Sequence, residues 1–323
     1  MAEKERDIPP NLQPHAADYT FDLDHLLQGI VRLRANVPDA AFTASTLGTE
    51  RSGSGVAIEG GLVLTMAYLV MEAETVWLTT GDGRVLPGHV LALDVESGFA
   101  LVQPLGRLDA PELRFGDPDR LEIGAHALLA AAGGRSSAME TRIVGRQEFA
   151  GYWEYLLDDA LFTAPAHPFW GGTALLGPDG ALLGIGSLIL QQPDPKGRRV
   201  DMNVVVPISR LLPVLGDLVR LGRVNRPARP WLGLFAMEND EAVVVGGLAP
   251  GGPAERAGIR AGDRIIAVGG EEISDLAGLW RQIWSCGPAG TLVTLRLARD
   301  EDELTVDVLT ADRATFLRAP RLH

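Results

Sequence analysis

"APGGPAERAGIRAGDRIIAVGGEEI", residues 249–273, compresses a Gly-Pro-rich turn, a short helix, a tight turn and a strand into one continuous stretch. The helix "PAERA" ends at Gly258, the residue type that closes a helix in the left-handed region without steric cost. Gly262-Asp263 then turns the chain into the apolar strand Arg264–Val268. Upstream, "WLGLFAMENDEAVVVGGL" reads as strands. Downstream, "SDLAGLWRQIW" has the apolar spacing of an amphipathic helix, and "TLVTLRLARDEDELTVDVLTA" alternates like a hairpin. Residues 231–312 therefore form a compact α+β module, set off by the Pro/Arg-rich linker "NRPARP" at 225–230 and followed by a tail at 313–323.

The chain before the linker has a different style. Residues 1–20 read as a flexible arm and 21–224 as one domain. "FDLDHLLQGIVRLRA" (21–35) is a short amphipathic helix or a helix leading into a strand. From about 40 to 206, short β runs separated by Gly, Pro and Asp turns suggest an all-β barrel or sandwich architecture. "PISRLLPVLGDLVRLGRV" (207–224) has helical periodicity and closes the domain.

The 323 residues allow two or three domains, and a formal net charge of −13 argues against nucleic acid or an anionic membrane as the main partner. The lysines are Lys4 and Lys196, so nearly all positive charge is arginine. A single cysteine, Cys286, excludes an intrachain disulfide and is compatible with a reducing compartment. The opening "MAEKERDIPPNLQPHAADY" mixes charges of both signs with prolines and has no apolar run. The expectation is a protein without signal or membrane insertion and located in the cytoplasm, or in the periplasm if a leader was trimmed.

The stretch 249–273 resembles the turn-helix-strand of a PDZ domain of the HtrA/DegP type, residue by residue. The first domain is then similar to that family's chymotrypsin-like protease domain, which implies a mostly β fold: a double six-stranded β-barrel followed by the α+β PDZ domain. The family's Gly-Ser-Gly strand is present as Gly53-Ser54-Gly55-Val56. Its Thr-Asn-Ala-His stretch, carrying the base, matches Thr65-Met66-Ala67-Tyr68. Its Asp-x-x-x-Asp-Leu-Ala-Leu stretch, carrying the orienting acid, matches Asp94–Leu101. Its Asn-Pro-Gly-Asn-Ser-Gly-Gly-Pro-Leu-Leu stretch, carrying the nucleophile, matches His167–Leu176 within "APAHPFWGGTALLGPDG". The three catalytic stretches align without gaps and in the family's order, and the resemblance covers roughly residues 40–310.

The Ser-His-Asp mechanism needs a hydroxyl, an imidazole and a carboxylate. The three matched positions hold Gly171, Tyr68 and Gly98, and a phenol with a pKa near 10 is a poor base at neutral pH. Phe169 stands where the family has an oxyanion-loop glycine, and Trp170 adds bulk beside it. His89 and His126 lack partners at metal-ligand spacing, and no cofactor is implied. A Ser–Lys pair is excluded inside the barrels, because Lys196 sits in the loop "QQPDPKGRR". Asp94 and Glu96 read as turn carboxylates and His167 as a loop residue capping a turn. The expectation is that the chain is not an enzyme but a pseudo-protease, a peptide- or protein-binding scaffold or adaptor working through its PDZ domain. Two alternatives stay open. One is an active serine-type endopeptidase with a non-standard constellation, in which His167 and Thr173 would be the residues to mutate. The other is a regulatory subunit of an active homologue. A chaperone-like holding role is also compatible.

A PDZ domain binds a peptide C-terminus by strand addition, its carboxylate held by backbone amides of a glycine-containing loop. The resemblance places that loop at Trp231-Leu232-Gly233-Leu234, with the amides of Leu232, Gly233 and Leu234 as donors. The helix Asp275–Trp284 would line the groove through Leu276, Leu279, Trp280 and Ile283, some of them shared with the core. A tryptophan at the rim, Trp280 or Trp284, would serve as an anchor. HtrA-type trimers are built through aromatic residues near the start of the protease domain, where this chain has Tyr19 and Phe21. That implies a homotrimer or a mixed oligomer with homologues.

Overall fold

The structure, a computed structural model, describes residues 8–193, 197–239 and 242–319. Lys4, Lys196 and the end of the expected tail lie outside them. The chain divides into two compact units. One holds the residues through Gln147 together with Asp159–Asn225; the other holds Glu148–Asp158 with Arg226–Arg318.

The first unit is the expected pair of closed six-stranded barrels. Its first barrel consists of β1 (Ile30–Asn36), β2 (Glu50–Ile58), β3 (Leu62–Met66), β4 (Thr75–Thr79), β5 (Val85–Asp94) and β6 (Phe99–Pro104), in the order β1-β2-β3-β6-β5-β4. Strand β1 alternates Leu33 and Ala35 inward with Arg32, Arg34 and Asn36 outward, the two-residue period of a half-buried strand. The second barrel consists of β7 (His126–Ala130), β8 (Ala138–Gly151), β9 (Tyr155–Ala164), β10 (Ala174–Leu176), β11 (Leu182–Pro193) and β12 (Arg199–Pro207), in the order β10-β11-β12-β9-β8-β7. Leu129, Ile143, Leu161, Leu175 and Val205 fill it.

Residues 21–35 turn out to be a helix leading into a strand. The helix Leu23–Leu27 is capped by the Asp22 carboxylate, which accepts from the His25 amide, and the chain then enters β1. Within 207–224 the α-helix is confined to Leu215–Leu221 and stops at Gly222, whose φ of 70° is left-handed. Residues 8–20 depart from the expected free arm: they form single helical turns at Pro10–Leu12 and Ala16–Asp18, and Ile8 is buried. Apolar burial, absent from a composition-based reading of that segment, orders it.

The second unit is the α+β module. Its strands are β13 (Leu234–Glu238), β14 (Val243–Leu248), β15 (Arg264–Val268), β16 (Glu271–Glu272), β17 (Leu292–Arg299) and β18 (Asp302–Leu309), in the order β13-β14-β15-β17-β18 with β16 on β15. Gly258 and Gly262 have φ of 84° and 94°, the left-handed conformation that makes both turns. Asp263 accepts from the Arg260 amide and from Arg299, which holds its carboxyl below the usual range. The helix Leu276–Ser285 is capped by Asp275, whose carboxylate accepts from the Gly278 amide.

The domain limits drawn from sequence miss one segment. Glu148–Asp158, the outer ends of β8 and β9 and the turn joining them, belongs to the second unit. Leu156 lies in that unit's core with Leu234, Val245, Leu279 and Trp280.

Candidate functional site

Among the described residues, two places have the form of a site: the cleft in the first unit, and the loop entering β13 in the second.

The cleft is a cavity of about 810 Å³ whose lining includes Arg32, Arg34, Ser52, Tyr68, Phe169 and Trp170. Tyr68 and Gly171 meet there. The Tyr68 hydroxyl donates to the Ser187 carbonyl at 2.8 Å, and a Cβ added at Gly171 would lie 2.9 Å from that hydroxyl oxygen. The phenol therefore occupies the space into which a side chain at 171 would grow. Burial pushes its pKa upward, well above the ordinary value, so it stays protonated. Gly98 accepts from the Ala67 amide at 2.7 Å and stands at φ 81°, where a side-chain-bearing residue is strained. The Asp94 carboxylate is engaged within its own turn, accepting from the Ser97 hydroxyl and from the amides of Glu96 and Ser97.

This arrangement makes positions 68 and 171 energetically coupled. Gly171→Ala alone should cost about 1–2 kcal/mol by overpacking. Most of that should vanish in a Tyr68→Phe background, because the clashing oxygen is gone. A double-mutant cycle of denaturant unfolding checks it, a coupling of about 1 kcal/mol being the expected result.

The loop 164–173 is held from inside. His167 is fully buried: its Nδ1 accepts from the Phe169 amide and its Nε2 faces the Ser137 carbonyl, a pairing that needs the proton on Nε2. Its backbone exchanges hydrogen bonds with the Asn203 side chain. Both ring nitrogens are engaged, and burial lowers the pKa to about 4. The imidazole is a strut rather than a free base. Thr173 also turns inward, its hydroxyl donating to the Trp170 carbonyl.

The depressed His167 pKa has a sign. The unfolded chain takes up this proton below about 6.5 and the folded one only near 4, so stability is lost as pH falls from 6.5 towards 4. Between pH 7.5 and 5 the loss from this residue should be about 2 kcal/mol. Unfolding of the wild type and of His167→Gln at both pH values isolates it.

In the second unit, the expected carboxylate-holding amides already hold a carboxylate. Glu154 accepts from the amides of Leu232 (3.2 Å), Gly233 (2.6 Å) and Leu234 (2.9 Å). Gly233 sits at φ 76°, which turns the loop so that three successive N–H groups converge. Desolvation pushes the Glu154 carboxyl up to about 7, against the opposing pull of the three amides and of Arg313. Nothing in "GYWEY" marks Glu154 as more than a turn acid beside aromatics.

The other groove residues are corrected in part. Leu276, Leu279, Trp280 and Ile283 are all buried in the core cluster, because the helix turns its apolar face to the sheet. Trp280 also donates its indole N–H to the Gly151 carbonyl at 2.9 Å. Trp284, by contrast, is half-buried, beneath the Arg229 guanidinium at 4.2 Å. In the first unit, Tyr19 and Phe21 pack edge to face at 5.4 Å, and Phe21 covers Gly180. Among the described residues there is no group of three or more His, Cys, Asp or Glu placed to hold a metal, and no helix long and apolar enough to cross a membrane.

Comparison with known proteins bears on both units. Residues 53–185 match the trypsin-like peptidase domain and residues 230–310 the PDZ domain. The chain is 26% identical over 273 residues to the periplasmic serine endoprotease DegP of Escherichia coli, covering 79% of this chain and 56% of that one. A probable periplasmic DegP-like serine endoprotease of Halomonas elongata is also 26% identical, over 277 residues, covering 80% and 56%. The chain thus spans about half the length of these curated relatives. Among solved structures, the HtrA-type protease AlgW with a decapeptide has a TM-score of 0.53 at 20% identity, over 93% of this chain and 98% of that one.

These findings correct two expectations. The inference that the chain is not an enzyme is overturned: the matched domain is a peptidase domain and the relatives are named serine endoproteases. That inference rested on the side chains at 68, 98 and 171 alone. The cytoplasmic expectation is not supported either, since the relatives are named as periplasmic. By its two matched domains, the chain carries a trypsin-like peptidase domain followed by a PDZ domain, and along most of its length it is similar to the DegP proteases.

Proposed function

We propose that this chain recognises the C-termini of peptides or unfolded proteins through its PDZ domain, as the peptide-binding part of a DegP-like endopeptidase. The observation that carries this reading is the convergence of the Leu232, Gly233 and Leu234 amides on one carboxylate. Charge-assisted hydrogen bonds of this kind distinguish a free C-terminus from an amidated one. Titration with a decapeptide ending in an apolar residue tests it: the free acid should bind at least tenfold more tightly than its C-terminal amide, and equal affinities would overturn it.

The names of the relatives favour a second component, endopeptidase action at the cleft by a constellation other than Ser-His-Asp. His167 and Thr173 are engaged in holding the loop, which directs the search to other cleft residues. Cleavage of unfolded casein tests this. Turnover proportional to the chain's own concentration through successive purification steps supports it; turnover that is lost on purification removes it. Self-association through Tyr19 and Phe21, as a trimer, belongs to the same proposal. Light scattering of the wild type beside a Tyr19→Ala, Phe21→Ala variant checks it, a fall in mass being the supporting result.

A further inference from the structure

The carboxylate-holding loop is occupied by a residue of the same compact unit, and the contacts around that residue follow the pattern of a bound C-terminus. Glu154 is buried, and its side chain takes all three converging amides. Two residues earlier, the Tyr152 carbonyl accepts from the Ala236 amide of β13 at 2.8 Å. That is a backbone contact of the strand-addition kind, on the strand that follows the loop. One residue before that, the Gly151 carbonyl accepts from the Trp280 indole on the groove helix. Arg281 of the same helix pairs with Glu148 and, at 2.9 Å, with Asp158, gripping both stems of the turn.

The turn is also shaped for this. Among the described residues, Glu154 is one of four non-glycine residues with a positive φ, at 56°. A left-handed glutamate costs of order 1 kcal/mol and persists where surrounding contacts hold it. Here the strain aims the carboxylate at the loop. A surface glutamate at a hairpin turn would ordinarily stay in water.

We propose that the turn Gly151–Tyr155 is a resident, displaceable ligand of the PDZ domain, in which the Glu154 side chain stands in for a peptide's C-terminal carboxylate. A free C-terminus binds only by displacing it. This rests on the peptide-binding reading above and adds its regulation. Because the turn is tethered at both ends, it competes at an effective concentration of order millimolar or higher, without being consumed. Weak or scarce C-termini are thereby excluded, and only those able to outcompete the built-in carboxylate gain the groove.

The test uses the full chain and a fluorescein-labelled decapeptide with an apolar last residue, as free acid and as amide, against wild type, Glu154→Ala and Glu154→Gln. The expected result is a Kd for the free acid 10- to 100-fold lower in both variants than in wild type, with the amide binding weakly throughout. Equal free-acid affinities in all three proteins, with the amide still discriminated, would overturn self-occupancy and leave the peptide-binding reading standing. Failure of every protein to distinguish acid from amide would sink that reading and this one with it. Glu154→Gln keeps the shape of the side chain if the alanine variant does not fold. Hydrogen exchange on the wild type adds a readout without any substitution. Saturating free-acid peptide should deprotect residues 151–155, and unchanged protection in the presence of bound peptide counts against displacement.

Discussion

Gly172→Ala is expected to leave the peptidase-type domain unfolded or insoluble, a loss of about 4 kcal/mol or more. Gly172 has φ 79°, and a Cβ there would fall 1.9 Å from the Ser54 carbonyl oxygen, 2.8 Å from its carbon and 3.0 Å from the Thr65 hydroxyl. The obstacles are backbone, and they are fixed. Ser54 donates its amide to the Gly171 carbonyl, and its own carbonyl accepts from Thr65. Gly172 itself donates to the Gly186 carbonyl at 2.9 Å. The variant must therefore break a network that closes the cleft floor. Gly60→Ala is the control: its φ is 87°, but nothing lies within 4 Å of the added carbon. It should cost about 1 kcal/mol, the conformational penalty alone. Thermal unfolding of the two variants beside wild type separates collision from strain; similar losses would show that the contact at 172 relaxes freely.

Trp280→Ala should destabilise the C-terminal unit by about 3–5 kcal/mol, enough to unfold a domain of this size on its own. The indole is fully buried in the cluster with Leu234, Val245, Leu279, Ile283 and Leu156, so its removal leaves a large cavity and an unpaired Gly151 carbonyl. Trp280→Phe separates the two effects. It keeps most of the apolar volume, should cost about 1–2 kcal/mol, and should loosen residues 148–158 in hydrogen exchange more than it loosens the sheet. Trp284→Ala, at the half-exposed rim, should fall below about 1 kcal/mol. Equal losses at 280 and 284 would refute the burial assigned here to Trp280.

Much of this was legible from residues alone because it depends on local chemistry. Gly258 and Gly262 mark turns that need a positive φ wherever they occur. The spacing of "DLAGLWRQIW" marks an amphipathic helix without reference to a partner, whereas "FDLDHLLQGIVRLRA" fits either a helix or a helix leading into a strand. The resemblance of the stretches at 53, 65, 94 and 167 implies two barrels in order, and the resemblance at 231–234 implies the three amides at 232–234.

The tertiary structure alone decided what each of those groups meets. Glu154 and Leu232 are 78 residues apart in the chain, and Tyr68 and Ser187 are 119 apart. No periodicity or turn propensity encodes such pairings, because they arise when strands already specified by local preference pack together. A glutamate beside two tyrosines and a tryptophan satisfies the same local rules whether it faces water or fills a carboxylate site. A histidine in a proline-rich loop can likewise be a base or a strut until burial and the Ser137 carbonyl fix its proton. Local sequence set the backbone that offers these groups, and long-range packing, through desolvation and the hydrogen bonds left available, assigned each of them its work.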